Sequence, residues 1–188
     1  MHYEAIVIGV STGGLDALKG FIPKLPASFA LPVAIVQHRN QRSSDFLAEH
    51  LNRMSALSVV EAEDKGPMCG GYVYLAPATY HLLIEADRSF SLSVDALVNY
   101  SRPSIDVLFE SAADVFRQAL IGIILTGANT DGAQGAREIK ARGGLVIVQD
   151  PADAEADVMP KAALAAARVD YIVTLDQLPP LLLQLAGK

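Results

Sequence analysis

The chain has 188 residues, a length that fits one domain with its own core and no need of a metal or disulfide to hold it. Hydrophobic residues make up 51 % and charged residues 19 %, which excludes a disordered chain. The formal charge is −6 and the basic residues are scattered, which argues against nucleic acid as a partner, since phosphate backbones are gripped by clustered Lys and Arg.

Met1-His2-Tyr3-Glu4 has no basic region or cleavage site and runs straight into Ala5-Ile6-Val7-Ile8-Gly9-Val10. That apolar, β-branched run predicts a strand buried on both faces. Ser11-Thr12-Gly13-Gly14 reads as a turn, and Leu15, Leu18, Ile22 and Leu25 as one face of a helix closed by Pro23 and Pro26. Pro32–Val36 predicts a second strand with Gln37-His38-Arg39-Asn40 as its exit loop. Ser43 or Ser44 is expected to cap a helix whose Leu47, Leu51 and Met54 share a face.

From Leu57 to Val98 only short strand-like pieces occur, and antiparallel hairpins attached to the main sheet are expected there. Phe90–Val94 alternates with period two behind a turn at Asp87-Arg88. After Pro103, helical spacing returns in Ile105, Leu108, Phe109, Ala112 and Phe116. Leu120–Leu125 predicts a buried strand and Thr126–Gly132 its exit loop, followed by a helix up to Gly143-Gly144. Leu145–Val148 and Tyr171–Leu175 predict two further strands, separated by a helix from Pro160, expected at its first position, to Arg168. Strands alternating with helices predict an α/β fold: a doubly wound, mostly parallel sheet, helices on both faces, and an antiparallel excursion in the middle.

In such sheets, sites form beyond the carboxyl ends of the strands, near the point where strand order reverses. Three polar exit loops carry Ser11, His38 and Asp131, the residue types of a nucleophile, its base and the orienter of that base. Gly9-Val10-Ser11-Thr12-Gly13 fits a G-x-S-x-G turn between strand and helix, with the Thr12 N–H as first candidate oxyanion donor. Each residue also has a structural reading. The glycine-rich turn could serve a dinucleotide, although Ser11 replaces the middle glycine and no acidic residue ends the second strand. His38 could be a hydrogen-bonded structural residue, and Asp131 could cap the helix that follows it. His81 reads as structural, and His2 and His50 as surface residues. The lone cysteine, Cys69, excludes an internal disulfide and fits a reducing compartment. Asp150, Asp153, Glu155 and Asp157 read as a solvated loop rather than a metal site. Neither cofactor nor metal is expected.

The chain resembles the protein-glutamate methylesterases of bacterial chemotaxis, the CheB-type catalytic domain. The matching segments run in family order: Ile8–Gly14, Val36-Gln37-His38, Tyr74-Leu75-Ala76-Pro77 with His81, Val98-Asn99, Arg102–Asp106, Ile124–Gly127, Asp131-Gly132-Ala133 and Met159-Pro160. They cover nearly the whole chain. The resemblance implies hydrolysis of glutamate γ-methyl esters on the cytoplasmic helices of receptors, with glutamine deamidation as a further activity. It implies Ser11 as nucleophile, His38 as base and Asp131 as orienter, with Thr12, Ala128, Arg102 and Met159 in the oxyanion- and substrate-binding surroundings. It also implies a cytoplasmic location, with the membrane approached only through the receptor. Three positions depart from the family pattern: Ala128 for the usual methionine, Asn129 for glycine, and Arg39-Asn40 for Met-Pro. Typical members carry an N-terminal receiver domain, whereas residues 1–188 read as a single catalytic domain with no receiver in cis. A silent receptor- or partner-binding module and a nicotinamide-dependent oxidoreductase are the competing classes.

Overall fold

Four runs of five or six residues, buried along their whole length, build the centre of the sheet: β1 (Ala5–Val10), β2 (Val33–Gln37), β7 (Leu120–Ile124) and β8 (Leu145–Gln149). In the computed structural model, which describes residues 2–38 and 46–187, the other strands are β3 (Ser58–Glu61), β4 (Tyr72–Leu75), β5 (His81–Ile84), β6 (Phe90–Ser93) and β9 (Tyr171–Val173). The helices are α1 (Gly14–Phe21), α2 (Phe46–Met54), α3 (Ile105–Phe116), α4 (Ala133–Ala141), α5 (Val158–Ala166) and α6 (Leu178–Ala186). Seven strands form one sheet in the order β3-β4-β2-β1-β7-β8-β9, every pair parallel. The chain winds outward from β1 in one direction to β2 and in the other through β7, so the strand order reverses at the sheet's centre. The expected fold class is the one observed.

Alternation along the strands divides the core into two layers. Ile6, Ile8 and Val10 of β1 join Leu18, Phe21, Leu51 and Leu182 on one face. Ala5 and Val7 join Phe109, Ile139 and Ala163 on the other. With both faces covered by helices, the central strands carry apolar residues at every position, the composition that marked them in the sequence.

Several expectations require correction. β3 and β4 are parallel members of the main sheet, not antiparallel excursions. Among the strands of the described residues, β5 and β6 alone pair antiparallel, and they form a separate two-stranded sheet. That hairpin attaches through packing: Leu82, Ile84 and Phe90 enter the core layer of Phe109, and the Ile84 N–H donates to Ser111 Oγ at 3.1 Å. Leu15 is 43 % exposed, because α1 buries Ala17, Leu18 and Phe21 instead and then tightens into a 3₁₀ turn through Pro23. Met54 is likewise exposed at the end of α2, away from Leu51. Pro160 is the third residue of α5 rather than the first, which is tolerated because the first four N–H groups of a helix have no partner within it. Arg39, Asn40, Ser43 and Ser44 lie outside the described residues.

Ile105 opens α3 and is fully buried. A Cβ on Gly9 would stand 2.3 Å from its Cγ2, and one on Gly132 would stand 2.7 Å from the same atom. Two glycines therefore allow the first turn of α3 to settle onto the ends of β1 and β7. Gly9→Ala should cost about 1–3 kcal/mol through overpacking, since a buried Ile side chain has nowhere to swing. Urea denaturation measures this; an unchanged midpoint would show that the close approach constrains nothing.

Candidate active site

Ser11 follows β1, His38 follows β2, and Asp131 lies on the loop after β7. These are three adjacent strands, so all three loops open at the reversal point. The imidazole of His38 spans the gap. Its Nε2 stands 2.8 Å from Asp131 Oδ2, and its Nδ1 stands 3.3 Å from Ser11 Oγ. The His38 side chain is 13 % exposed and that of Asp131 is fully buried.

Local sequence explains each placement. The chain leaves β1 through Gly13, held at φ +76°, and enters α1 at once, which aims the helix N-terminus toward Ser11. The carboxamide of Gln37, at the buried end of β2, donates to Ser11 O and to His38 O at 3.0 Å each, fastening the two loops together. On the other side, Ser11 N donates to Thr126 O at 2.9 Å and Thr126 Oγ1 to Thr12 O at 2.8 Å. Thr126 is held in turn by Gln149 Oε1, which accepts its N–H at 2.8 Å from the end of β8.

Asp131 is the most heavily bonded group in the site. Oδ2 accepts the Ile105 N–H at 2.7 Å in addition to His38 Nε2. Oδ1 accepts Asn99 Nδ2 at 2.9 Å, Ser104 Oγ at 2.8 Å and the Asp106 N–H at 3.2 Å. Burial works to raise its carboxyl, but His38, Asn99, Ile105 and Ser104 together outweigh that, and the group is held below its ordinary value of 3.8. Asp131 therefore stays ionised and accepts a hydrogen bond from Nε2–H, which leaves Nδ1 with the free lone pair. The helix it caps is α3 across the fold, not α4, whose N-cap is Gly132 at φ +92°.

Asp106 returns the cap. Its Oδ1 accepts the Gly135 N–H of α4 at 2.7 Å, and its Oδ2 accepts Asn99 Nδ2 at 2.7 Å. Burial pushes the Asp106 carboxyl up, the Gly135 N–H pulls it back in part, and the nearby charge of Asp131 raises it further. Asn99 bridges the two carboxylates from a two-residue turn. Both Asn99 and Tyr100 have positive φ, and Val98 and Ser101 exchange backbone hydrogen bonds around them.

The remaining predicted site residues divide. Thr12 and Ala128 are exposed on loops that flank Ser11. Met159 is buried against Gly127, where a Cβ would stand 1.9 Å from the Met159 sulfur and 3.0 Å from Ser11 Cβ, so the missing side chain lets Met159 pack beside the nucleophile loop. Arg102 is engaged elsewhere: its guanidinium donates to the carbonyls of Val94 and Asp95 at 2.6 and 2.7 Å, and no described contact joins it to Ser11, His38 or Asp131. Asn99, Ser104, Asp106 and Asn129 also line the site, and local sequence gives them no role there. Ser104 before a helical run was the one available signal, an N-cap residue whose hydroxyl turns out to serve Asp131.

His81 is buried, accepts the Ser104 N–H on Nδ1 and donates from Nε2 to Ala96 O, a structural use. His50, expected at the surface, is partly buried and stacks on Phe46. Glu155 lies over Gly13. Its carboxylate occupies the turn where a dinucleotide would set its pyrophosphate, a like-charge conflict that disfavours the cofactor-binding reading. Among the described residues no group of His, Cys, Asp and Glu is placed to hold a metal, and no helix is long and apolar enough to cross a membrane.

Comparison with known proteins agrees with this architecture. The family model "CheB methylesterase" matches residues 6–182. A Leptospira interrogans protein named as a protein-glutamate methylesterase/protein-glutamine glutaminase is 51 % identical over 185 residues, 98 % of this chain and 96 % of that protein. A Thermotoga maritima protein of the same name is 36 % identical over 97 % of this chain, which spans 54 % of its length. The crystal structure of the Thermotoga maritima CheB methylesterase catalytic domain superposes with a TM-score of 0.94 at 35 % identity, covering 98 % of this chain and all of that one. The chain thus belongs to the CheB methylesterase family.

Proposed function

We propose that the chain is a carboxylic ester hydrolase that cleaves γ-methyl esters of glutamate on chemoreceptor proteins, releasing methanol, and that it deamidates glutamine by the same chemistry. The observation that carries this reading is the single imidazole held between a serine hydroxyl at 3.3 Å and a buried carboxylate at 2.8 Å. A hydroxyl alone is too weak a nucleophile, and a neutral imidazole with its far nitrogen tied to a carboxylate supplies the base.

The steps follow from that arrangement. Ser11 Oγ attacks the ester carbonyl carbon while His38 Nδ1 takes the hydroxyl proton. Negative charge gathers on the carbonyl oxygen, at the N-terminal end of α1, where the N–H groups of Thr12 and Ala128 serve as donors. Asp131 stabilises the imidazolium. Collapse of the tetrahedral intermediate expels the methoxy group, which leaves as methanol with the proton from Nδ1. Water then attacks the acyl-serine, gives its proton to Nδ1, and frees the glutamate carboxylate and Ser11. With glutamine, the leaving group is ammonia. Methylated receptor helices are the substrate, and they bring the enzyme to the membrane surface in the cytoplasm.

Methanol release from methylated receptor fragments tests the reading. Ser11→Ala and His38→Ala should each lower turnover by about three to six orders of magnitude. Wild-type activity should fall as the pH is lowered and the imidazole takes up a proton. Near-normal turnover in either variant, or a silent wild type that still binds receptor fragments, would favour a binding module instead.

Asp131 is assigned two tasks here, orienting the base and capping α3, and Asp131→Asn probes both. Turnover should drop about 10⁴-fold. Stability at pH 7 should fall by about 2–4 kcal/mol, because a carboxamide turns an NH₂ toward groups that are all donors. Since the folded carboxyl lies below 3.8, its stabilisation is complete above that pH and is lost as acid titrates the native group. The gap between wild type and variant should therefore close below about pH 3.8. Asp106, shifted upward, has the opposite slope, and only above 3.8. Denaturation across pH 2–7 checks this, and a gap that persists unchanged at the acid end would contradict it.

A further inference from the structure

One polar side chain at the centre of the site takes no part in the steps above. Asn129 Nδ2 stands 3.2 Å from His38 Nδ1, the same nitrogen that Ser11 Oγ approaches at 3.3 Å. The orientation of the carboxamide is fixed by its other end, where Oδ1 accepts the Asp131 N–H at 3.1 Å. Turning it over would set NH₂ against that N–H, two donors face to face. Nε2 of His38 is committed to Asp131. Nδ1 therefore has one lone pair and two donors within reach.

We infer that Asn129 is a positioning residue that competes with Ser11 for the lone pair of His38 Nδ1 and holds the resting imidazole in its neutral form. A donor to the lone pair stabilises the neutral ring. It also opposes the protonated ring, whose Nδ1–H would face the Asn129 NH₂. The same opposition arises when Nδ1 takes the Ser11 proton, so the carboxamide has to withdraw for the reaction to proceed. In the resting enzyme only a fraction of molecules have the base free for Ser11, and the observed rate is reduced by that fraction. Among the described residues, the charged groups around the imidazole are Asp131 in direct contact, Asp106 behind it across Asn99, and Glu155 over Gly13. Arg102 is occupied by two carbonyls. Of these, Asp131 alone touches residue 129, through the N–H that Asn129 Oδ1 accepts, and Asn129→Ser keeps an acceptor there.

The inference rests on the reading of His38 as the base, and its test is arranged to be separable from that reading. The backbone at 129 is not left-handed, so Asn129→Gly and Asn129→Ser introduce no conformational strain. The serine hydroxyl can still accept the Asp131 N–H as a short local turn while falling short of the imidazole. The His38 titration is followed by ¹⁵N NMR in the full chain, wild type and both variants, beside kcat/KM for methyl-ester hydrolysis against pH. In both variants the imidazole midpoint should rise by roughly 0.4–1 pH unit, the effect of losing one neutral hydrogen bond. The acid limb of kcat/KM should move with it, and the rate on the alkaline plateau should rise by about two- to tenfold. A midpoint that stays in place in the folded variants, or a plateau rate that falls, overturns the inference. Failure of the underlying reading shows itself separately, as turnover that survives Ser11→Ala, and leaves the NMR titration readable.

Discussion

The structure turns on one buried carboxylate. A charge removed from water must be met by donors or it neutralises itself, and Asp131 is met by five: an imidazole, a carboxamide, a hydroxyl and two backbone N–H groups. Those donors come from the loop after β2, from the turn at Asn99 and from the first residues of α3. Satisfying one side chain thus locks the exit of β7, the entry of α3 and the exit of β2 into a single arrangement. The His38 imidazole is oriented by the group that organises the fold around it.

The exchange of caps extends this. Asp131, on the loop before α4, covers the N-terminus of α3, and Asp106, in the first turn of α3, covers the N-terminus of α4. Each carboxylate meets the partial positive charge of the other helix. The two carboxyls respond unequally: Asp131, with more donors, is held low, while burial, with the charge of Asp131 added to it, raises Asp106. Asn99 donates to both and keeps them from facing each other directly. Only a close approach of α3 to the strand ends makes this geometry available, and the absent side chains of Gly9 and Gly132 make that approach possible. Stability and site geometry are therefore coupled through the same few atoms.

The legible part of the sequence was the part in which local pattern and global position agree. Continuous apolar runs marked β1, β2, β7 and β8 because a strand covered on both faces can carry nothing else. Polar residues just beyond those runs then had to lie at the carboxyl edge, which is why Ser11, His38 and Asp131 could be grouped without coordinates. β3 and β4 were misplaced because each has only four residues and mixes buried with exposed positions, so their sequence does not distinguish a parallel outer strand from half of a hairpin. The helix that Asp131 caps was hidden for a different reason. A carboxylate before a helix looks like that helix's own cap, and nothing local reveals that a helix starting at Ile105 is the one it reaches. The hydrogen bonds of Arg102 to the carbonyls of Val94 and Asp95 were hidden as well. Tertiary polar contacts carry no periodicity, so pattern alone does not expose them.

Strand order also decides which imidazole nitrogen meets which partner. His38 follows β2, Ser11 follows β1 and Asp131 lies beyond β7, with β1 between the other two strands. The ring must therefore reach from β2 across β1, a span of about two strand spacings of roughly 4.8 Å each. Nε2 is the ring nitrogen farther from the backbone, and it is the one that arrives at Asp131. Nδ1, nearer the backbone, is left over the loop of the middle strand, beside Ser11. The reverse pairing would need serine and carboxylate to exchange strands. Because Asp131 is ionised and lacks a proton to offer, the proton of the neutral ring has to sit on Nε2, and the basic lone pair has to face the hydroxyl. The tautomer that turns the His38 lone pair toward Ser11 in this way follows the winding of the sheet.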